Sequence, residues 1–287
     1  MNALFATDLH GRAELYERLF ALAADERPGA LFLGGDLLPG GFDVLGRPDD
    51  QGDFLDDVFL LGLARLRDRL GDDYPAVFVI PGNDDPRAYE AAFEAAQDGG
   101  LFTWLQGRRA AWGPHTVYGY GCVPPTPFLL KDWERYDVSR FVDVGAVSPE
   151  EGWRSVEVSA TEVRYGTIAA DLERLAGDDD LAKAIFLFHA PPYRTDLDRA
   201  ALDLRTVDHV PVDVHVGSIA VRRFIEARQP LLTLHGHVHE SVSMTGHWSE
   251  RLGRTWCFGG AHDGPELCVV RFDPGRLSEA ERVLYVG

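Results

Sequence analysis

Cysteine is nearly absent from this chain, with three in 287 residues at positions 122, 257 and 268. So few and so scattered, they exclude a disulfide framework and a thiolate metal cluster. Positive charge is short as well: 28 Lys and Arg stand against 46 Asp and Glu, for a formal net charge of −18. A long nucleic-acid groove draws its affinity from a basic stripe, so this balance argues against an extended nucleic-acid partner, though not against short oligonucleotides. A small anionic substrate stays open, because bound divalent cations would make a pocket locally positive. Long apolar runs are missing too. Arg, Asp or Glu interrupts every window of the about 20 residues that a membrane span needs. The opening NALFATD reads as a strand and carries no basic region, apolar segment or cleavage site. A secretory leader is therefore not expected, and the cytoplasm is the default location. No repeat, low-complexity linker or domain boundary is visible, so one domain is expected.

What is there is a set of five short polar fragments, each at the end of a hydrophobic run. Asp8-Leu9-His10 follows NALFAT, Gly35-Asp36 follows ALFLG, and Gly82-Asn83-Asp84 follows AVFVIP; His189 follows AIFLF, and Gly236-His237-Val238-His239 follows PLLTLH. Short apolar runs bounded by Gly and Pro read as buried strands of an α/β sheet. Ligands of open α/β sheets collect at the carboxyl ends of the strands. Asp8, His10, Asp36, Asn83, His189, His237 and His239 are thus expected to converge on one edge of one sheet, a donor set suited to two metal ions.

Helical spacing fills the gaps. Residues 12–25 place Leu15, Leu19 and Leu22 on one face, and residues 53–70 do the same with Leu55, Val58, Phe59, Leu63, Leu66 and Leu70. Pro86 is suited to the first turn of a helix over 86–97. Between about 100 and 160 the rhythm fails in an aromatic-rich stretch, read as strands followed by an irregular excursion that either roofs the site or packs its own aromatics on the sheet. A helix over 161–176, a strand at 184–188, a helix near 217–228 and a strand at 231–234 come next. Strands at 254–258 and 267–272 look like a second, antiparallel set.

The donors have a chemical logic. Asp8 and His10, one residue apart, would point the same way from an extended segment and grip one cation. Asp36, after two glycines, can place one oxygen on each of two metals. Asn83 offers a neutral amide oxygen. His237 and His239 repeat the one-residue spacing, or in a tight turn serve two different metals. Taken singly, each fragment is an ordinary turn, cap or core histidine. Their occurrence in order, each at a strand end, is what points to a site.

That ordered set resembles the calcineurin-like metallophosphoesterase superfamily, whose pattern runs D-x-H, G-D, G-N-H-D/E, H, G-H-x-H; the resemblance spans residues 8 to 239. More narrowly, HAPPY at 189–193, HVGS at 215–218 and GHVHES at 236–241 look like its small bacterial phosphoesterases. The resemblance implies a four-layer α/β/β/α sandwich and a dinuclear metal site. Asp8, His10 and His239 would hold the first metal, Asn83, His189 and His237 the second, with Asp36 bridging. It also implies hydrolysis of phosphoesters by a metal-bridging hydroxide; small phosphodiesters are the default substrates, with activated monoesters beside them, because nothing in the sequence suggests lipid or extended-polymer binding. Mixed His, Asp and Asn ligation suits Mn²⁺, Fe²⁺, Zn²⁺ or Ni²⁺ better than Mg²⁺ or Ca²⁺ alone.

One position departs from the pattern. Where the family has a histidine that contacts phosphate and helps protonate the leaving group, this chain has Asp84. Nearby cations favour the ionised carboxylate, which repels phosphate and has no proton to give. Either Asp84 orients a histidine or water, or another histidine supplies the proton, or leaving-group protonation matters little. Asp84 and His215 are therefore the candidate catalytic residues, and Asn83 and His262 the candidate substrate contacts. Each of the two histidines has an ordinary reading as a loop residue. Slow turnover of substrates with basic leaving groups is expected. Competing readings are a non-catalytic binding scaffold on the same fold, which the intact seven-donor set disfavours, and a nuclease of short oligonucleotides.

Overall fold

Alternation within the strands sets the architecture. A computed structural model describes residues 2–40 and 54–286. In strand β1 (Ala3–Ala6), Ala3 and Phe5 face one way and Leu4 and Ala6 the other. Strands β2 (Ala30–Gly34) and β3 (Ala76–Ile80) do the same with Phe32 against Leu31 and Leu33, and Phe78 and Ile80 against Val77 and Val79. These are strands buried on both faces, which is why they read as continuous hydrophobic runs.

β1, β2 and β3 pair in parallel, with Ala3 opposite Ala30 and Ala30 opposite Ala76. Their crossovers are helix α1 (Ala13–Glu26) and, after a π-helical stretch at Phe54–Leu60, helix α2 (Leu61–Leu70). The expected helix over 53–70 is thus divided between two helical geometries, and residue 53 lies outside the described residues. Helix α3 (Glu90–Gln97) follows a single 3-10 turn after Pro86 and leads to the short β4 (Thr103–Trp104), which extends the same sheet.

A second sheet begins with the hairpin of β5 (Arg108–Trp112) and β6 (His115–Tyr120). Helix α4 (Ala160–Tyr165) and helix α5 (Ile168–Ala176) replace the single helix expected over 161–176. Gly166, in extended conformation, separates them, and the side chain of Thr167 accepts from Ala170 N–H to start the second. β7 (Ala184–Phe188) pairs in parallel with β6. A small ribbon, β8 (Thr206–Val207) with β9 (Val210–Pro211), precedes helix α6 (Ile219–Arg228) and β10 (Leu232–His235). After helix α7 (Ser241–Thr245) come β11 (Ser249–Leu252), β12 (Thr255–Gly259), β13 (Leu267–Phe272) and β14 (Glu281–Tyr285).

The C-terminal strands are not a separate antiparallel set. β12 joins the second sheet parallel to β10, while β13 and β14 join the first, antiparallel beside β1. The two sheets therefore run in the orders β14-β13-β1-β2-β3-β4 and β11-β12-β10-β7-β6-β5. Their inner faces meet through Phe5, Phe32, Phe78, Ile185, Leu187, Leu232, Leu234, Phe258 and Phe272, with Phe258 of one sheet 6.3 Å from Phe272 of the other between ring centroids. Each such fully buried side chain contributes about 1.5–3 kcal/mol relative to exposure. Outer faces carry the helices, α1 and α2 on the first sheet and α5 and α6 on the second. The layers run helix, sheet, sheet, helix, as the four-layer expectation has it.

The excursion after β6 is stitched down along residues 121–159. The buried Lys131 donates to Thr126 O and to Glu134, which also accepts from Thr126 N–H at 2.8 Å. Asp132 accepts from Arg87 N–H at 2.8 Å, and Asp137 accepts from the amides of Ile219 and Ala220 at the start of α6.

Candidate metal centre

Strand ends carry the donors. Asp8 and His10 follow β1, Asp36 follows β2 and Asn83 follows β3, all from the first sheet; His189 follows β7 and His237 and His239 follow β10, from the second. The seven donors come from two facing sheets rather than from one edge of one sheet. Their inward-facing aromatic and aliphatic residues hold the sheets together with the carboxyl ends of β2 and β7 side by side, so that His189 Nδ1 lies 2.8 Å from Gly34 O.

The turns are not extended segments either. Asp8 (φ 57°), His10 (φ 44°), Asp36 (φ 51°) and His237 (φ 74°) all adopt left-handed backbone. The spacing of Asp8 and His10 therefore does not work by strand alternation. Their turn is pinned instead to the neighbouring one: Asp8 N–H donates to Gly35 O at 2.9 Å, His10 N–H to Asp36 O at 2.8 Å and Gly11 N–H to Leu37 O at 2.9 Å. Such conformations cost of order 1–3 kcal/mol apiece and persist where the surroundings fix them, which is typical of functional sites. Two glycines make the approach possible. A Cβ on Gly35 would lie 2.7 Å from His189 Nδ1, and one on Gly82 would lie 2.2 Å from Asp36 Oδ1.

The resulting constellation has two sides. On one, His10 Nε2 faces His239 Nε2 at 3.2 Å and His239 Nε2 faces Asp8 Oδ1 at 3.3 Å. Asp8, His10, Asp36 and His239 bring four ligand atoms within 4.8 Å of one another. On the other, the fully buried His189 places Nε2 3.2 Å from Asn83 Oδ1 and 3.3 Å from Asp36 Oδ2. The His237 ring packs 5.2 Å from that of His189, and its backbone N–H donates to Asp8 at 3.0 Å.

These separations test whether a metal fits. Ligands about 2.1 Å from a first-row divalent ion stand about 3.0–3.4 Å apart along the edges of its coordination polyhedron. Charge-assisted hydrogen bonds are shorter, about 2.7–2.9 Å. Two imidazole nitrogens that face each other across 3.2 Å need a proton or a cation between them. Carboxylates, an amide oxygen and imidazoles are donors for manganese, iron, zinc or nickel. The residues fit.

Electrostatics follow from burial and from this crowding. Burial alone would depress His10 and His189, but carboxylates reverse it. Asp84, Asp36 and Asp8 lift His10 to about 9, and Asp36 and Asp8 lift His189 to about 9. Asp36 goes the other way: burial would raise it, yet His189 and His10 hold it far below the usual carboxylate range. His237, buried beside His189, is pushed down to about 3 and stands ready as a neutral ligand.

Asp84 sits on the rim with Oδ2 3.3 Å from His10 Nδ1, and its N–H donates to Asp36 Oδ1 at 2.8 Å. His215 is bound to the buried Asp198, Nδ1 to Oδ1 at 2.7 Å, in a loop where Asp198 also accepts from the amides of Arg194, Thr195 and Gly217. His262 pairs with Glu266 at 2.9 Å and lies 3.6 Å from Asp263. Among the described residues, no hydrogen bond joins either histidine to the seven donors.

Sequence reasoning missed Asp85. Its buried carboxylate accepts from the amides of Leu37 and Leu38 at 2.9 and 2.8 Å and from Gly82 at 2.9 Å, tying the turn after β2 to the turn after β3. Burial, with Asp36 close by, raises it to about 7. The fourth place of the G-N-H-D/E pattern was the signal that could have found it. Asp85→Ala leaves three buried amides unsatisfied, at about 1–3 kcal/mol each before relaxation. A loss of about 3–5 kcal/mol is expected, read as a lower denaturation midpoint of the metal-free protein; an unchanged midpoint would show that the turn holds without it. His235, buried between Ala190 O and Thr233 Oγ1, was also missed and is depressed to about 4 by burial.

A family model described as "Calcineurin-like phosphoesterase" matches residues 1–241. No curated protein matches the chain. Among solved structures, one aligns with a TM-score of 0.60 at 18% identity, covering 99% of both chains. The protein TT1561 of Thermus thermophilus aligns with a TM-score of 0.57 at 19% identity, covering 99% of this chain and 98% of its own. A dimetal phosphatase from Danio rerio aligns with a TM-score of 0.49 at 12% identity over 100% and 99% of the two chains.

Proposed function

The chain belongs to the calcineurin-like phosphoesterase family, hydrolases that use divalent metal, and from that premise we propose that it is a dinuclear phosphodiesterase acting on small phosphodiesters. The carrying observation is the pair of donor groups on either side of Asp36, with donor atoms 3.2–3.3 Å apart. Asp8, His10 and His239 would hold one ion, Asn83, His189 and His237 the other, and Asp36 would reach both. When bound, the ions supply Lewis-acid polarisation of the phosphoryl group and of the attacking water.

The chain's own residues shape the rest. Asp8 and Asp36 offset part of the ions' charge and leave a net positive pocket for an anionic substrate. Left-handed turns hold the donors in place before any ion arrives, so little reorganisation accompanies binding. The 121–159 segment is anchored on Arg87, just after Asn83, and on the start of α6. The net charge of −18 agrees with a small substrate over a long nucleic acid. No helix among the described residues is long and apolar enough to cross a membrane, and all three cysteines are buried free thiols, which suits a reducing compartment such as the cytoplasm.

The test is turnover of bis(4-nitrophenyl) phosphate and of 4-nitrophenyl phosphate by metal-stripped protein reloaded with Mn²⁺, Fe²⁺, Zn²⁺ or Ni²⁺. Metal-dependent hydrolysis, faster on the diester, is the expected result. No turnover with any metal, despite bound ions, would favour the binding-scaffold reading.

A further inference from the structure

The reading of Asp8, His10, Asp36 and His239 as metal ligands brings Asp84 into question, and resting on that reading we propose that Asp84 is a positioning residue that fixes His10 as a ligand, not the proton donor of the reaction. The geometry of the His10 ring carries it. Nδ1 lies 3.3 Å from Asp84 Oδ2, while Nε2 lies 3.2 Å from His239 Nε2 and 3.9 Å from Asp36 Oδ2. A proton on Nδ1 donated to Asp84 leaves the lone pair on Nε2, the nitrogen aimed at the other donors. Partners of this kind fix the tautomer and raise the basicity of a ligand histidine.

His189 shows the same division of labour. Its Nδ1 lies 2.8 Å from Gly34 O, which holds the ring proton, and its Nε2 faces Asn83 and Asp36. The histidines flanking Asp36 are thus oriented from behind, one by a backbone carbonyl and the other by Asp84. Asp84 also donates its own N–H to Asp36 Oδ1 at 2.8 Å, so one residue steadies a histidine and the central carboxylate together. Gly40 closes the other side: a Cβ there would lie 2.8 Å from Asp84 Oδ2. With Oδ2 turned to His10 Nδ1 and its N–H given to Asp36 Oδ1, Asp84 is engaged with the ligands and is not offered to a departing alkoxide. The leaving group departs without help from residue 84, so leaving-group protonation falls to another group or matters little.

Zn²⁺ titration of the metal-stripped full chain by calorimetry, with a competing chelator, compares wild type, Asp84→Asn and Asp84→Ala. Asp84→Ala is expected to weaken Zn²⁺ binding about 10- to 100-fold. Asp84→Asn, whose amide oxygen still accepts from Nδ1–H, should keep most of the affinity. Nitrogen-15 spectra of the Zn²⁺-loaded wild type should show the His10 proton on Nδ1. Across aryl phosphodiesters, the dependence of log kcat on leaving-group pKa should be the same in all three proteins. Wild-type affinity in Asp84→Ala overturns the positioning role, and a dependence that steepens in both variants overturns the proposal by making Asp84 the acid. If wild type itself binds no Zn²⁺, the metal-ligand reading falls first and the proposal with it.

Discussion

Asp36→Ala is expected to lower kcat/KM for an activated phosphodiester by at least about 10³-fold with every metal, the scale seen when one member of a unit that acts together is removed. Asp36 is the carboxylate that both halves of the centre share. Its Oδ2 lies 3.3 Å from His189 Nε2 and 3.9 Å from His10 Nε2, and its Oδ1 accepts from Asp84 N–H at 2.8 Å. The chain closes tightly around it: Gly82 has no room for a Cβ beside Asp36 Oδ1. Asp36→Asn keeps the shape and removes the charge, so it separates electrostatics from packing. A comparable loss in Asn and Ala would assign the effect to charge. Metal content of the purified variants, measured alongside turnover, should fall in both. Activity within tenfold of wild type at full metal content would show that Asp36 is not shared between ions, and the dinuclear reading would fail.

Much of this centre is legible in the sequence, for a specific reason. β1, β2, β3, β7 and β10 are short apolar runs buried on both faces, and each ends where a Gly, Pro or polar residue stops it. The donors stand directly after those stops, so locating the strands locates the residues. Which sheet each strand joins is not written locally. β6, β7, β10 and β12 look no different from β1, β2 and β3, and only long-range pairing separates them. The backbone of the turns is hidden as well. Gly35 advertises a positive φ, but Asp8, His10 and His237 hold one because neighbouring turns impose it. Asp85 was concealed by its company, being one acid among 46 Asp and Glu that mostly serve solubility. The Lys131–Glu134 pair reads as a surface i,i+3 pair, yet both side chains are fully buried. Gly166 did announce the break between α4 and α5, and the apolar periodicity on either side masked it.

Metal affinity should rise steeply with pH, and the metal-free protein should respond to pH in the opposite sense. His10 and His189 stand at about 9 without metal, each lifted by carboxylates, so both carry a proton at pH 7. Each ion must displace such a proton, because only the neutral imidazole has a lone pair to offer. Between about pH 6.5 and 8.5 the apparent affinity of each site should therefore gain about tenfold per pH unit. The sign for the metal-free fold is reversed. A histidine raised from 6.5 to about 9 on folding adds stability that is complete below about pH 6.5 and is lost as pH climbs through 9. Asp36 and Asp8, both lowered by neighbouring histidines, add stability above the ordinary carboxylate range that is lost only in acid. The metal-stripped protein should thus melt at progressively lower temperature from pH 6.5 to 9. The loaded protein, whose histidines are bound and neutral, should not. Proton release on metal binding, measured by calorimetry in buffers of different ionisation enthalpy, should reach at least one per ion at pH 7, since His239, which burial alone would lower, is also raised by Asp8. Binding that releases no protons and does not change with pH would mean that the imidazoles are already neutral, and that these carboxylates do not face them as the geometry places them.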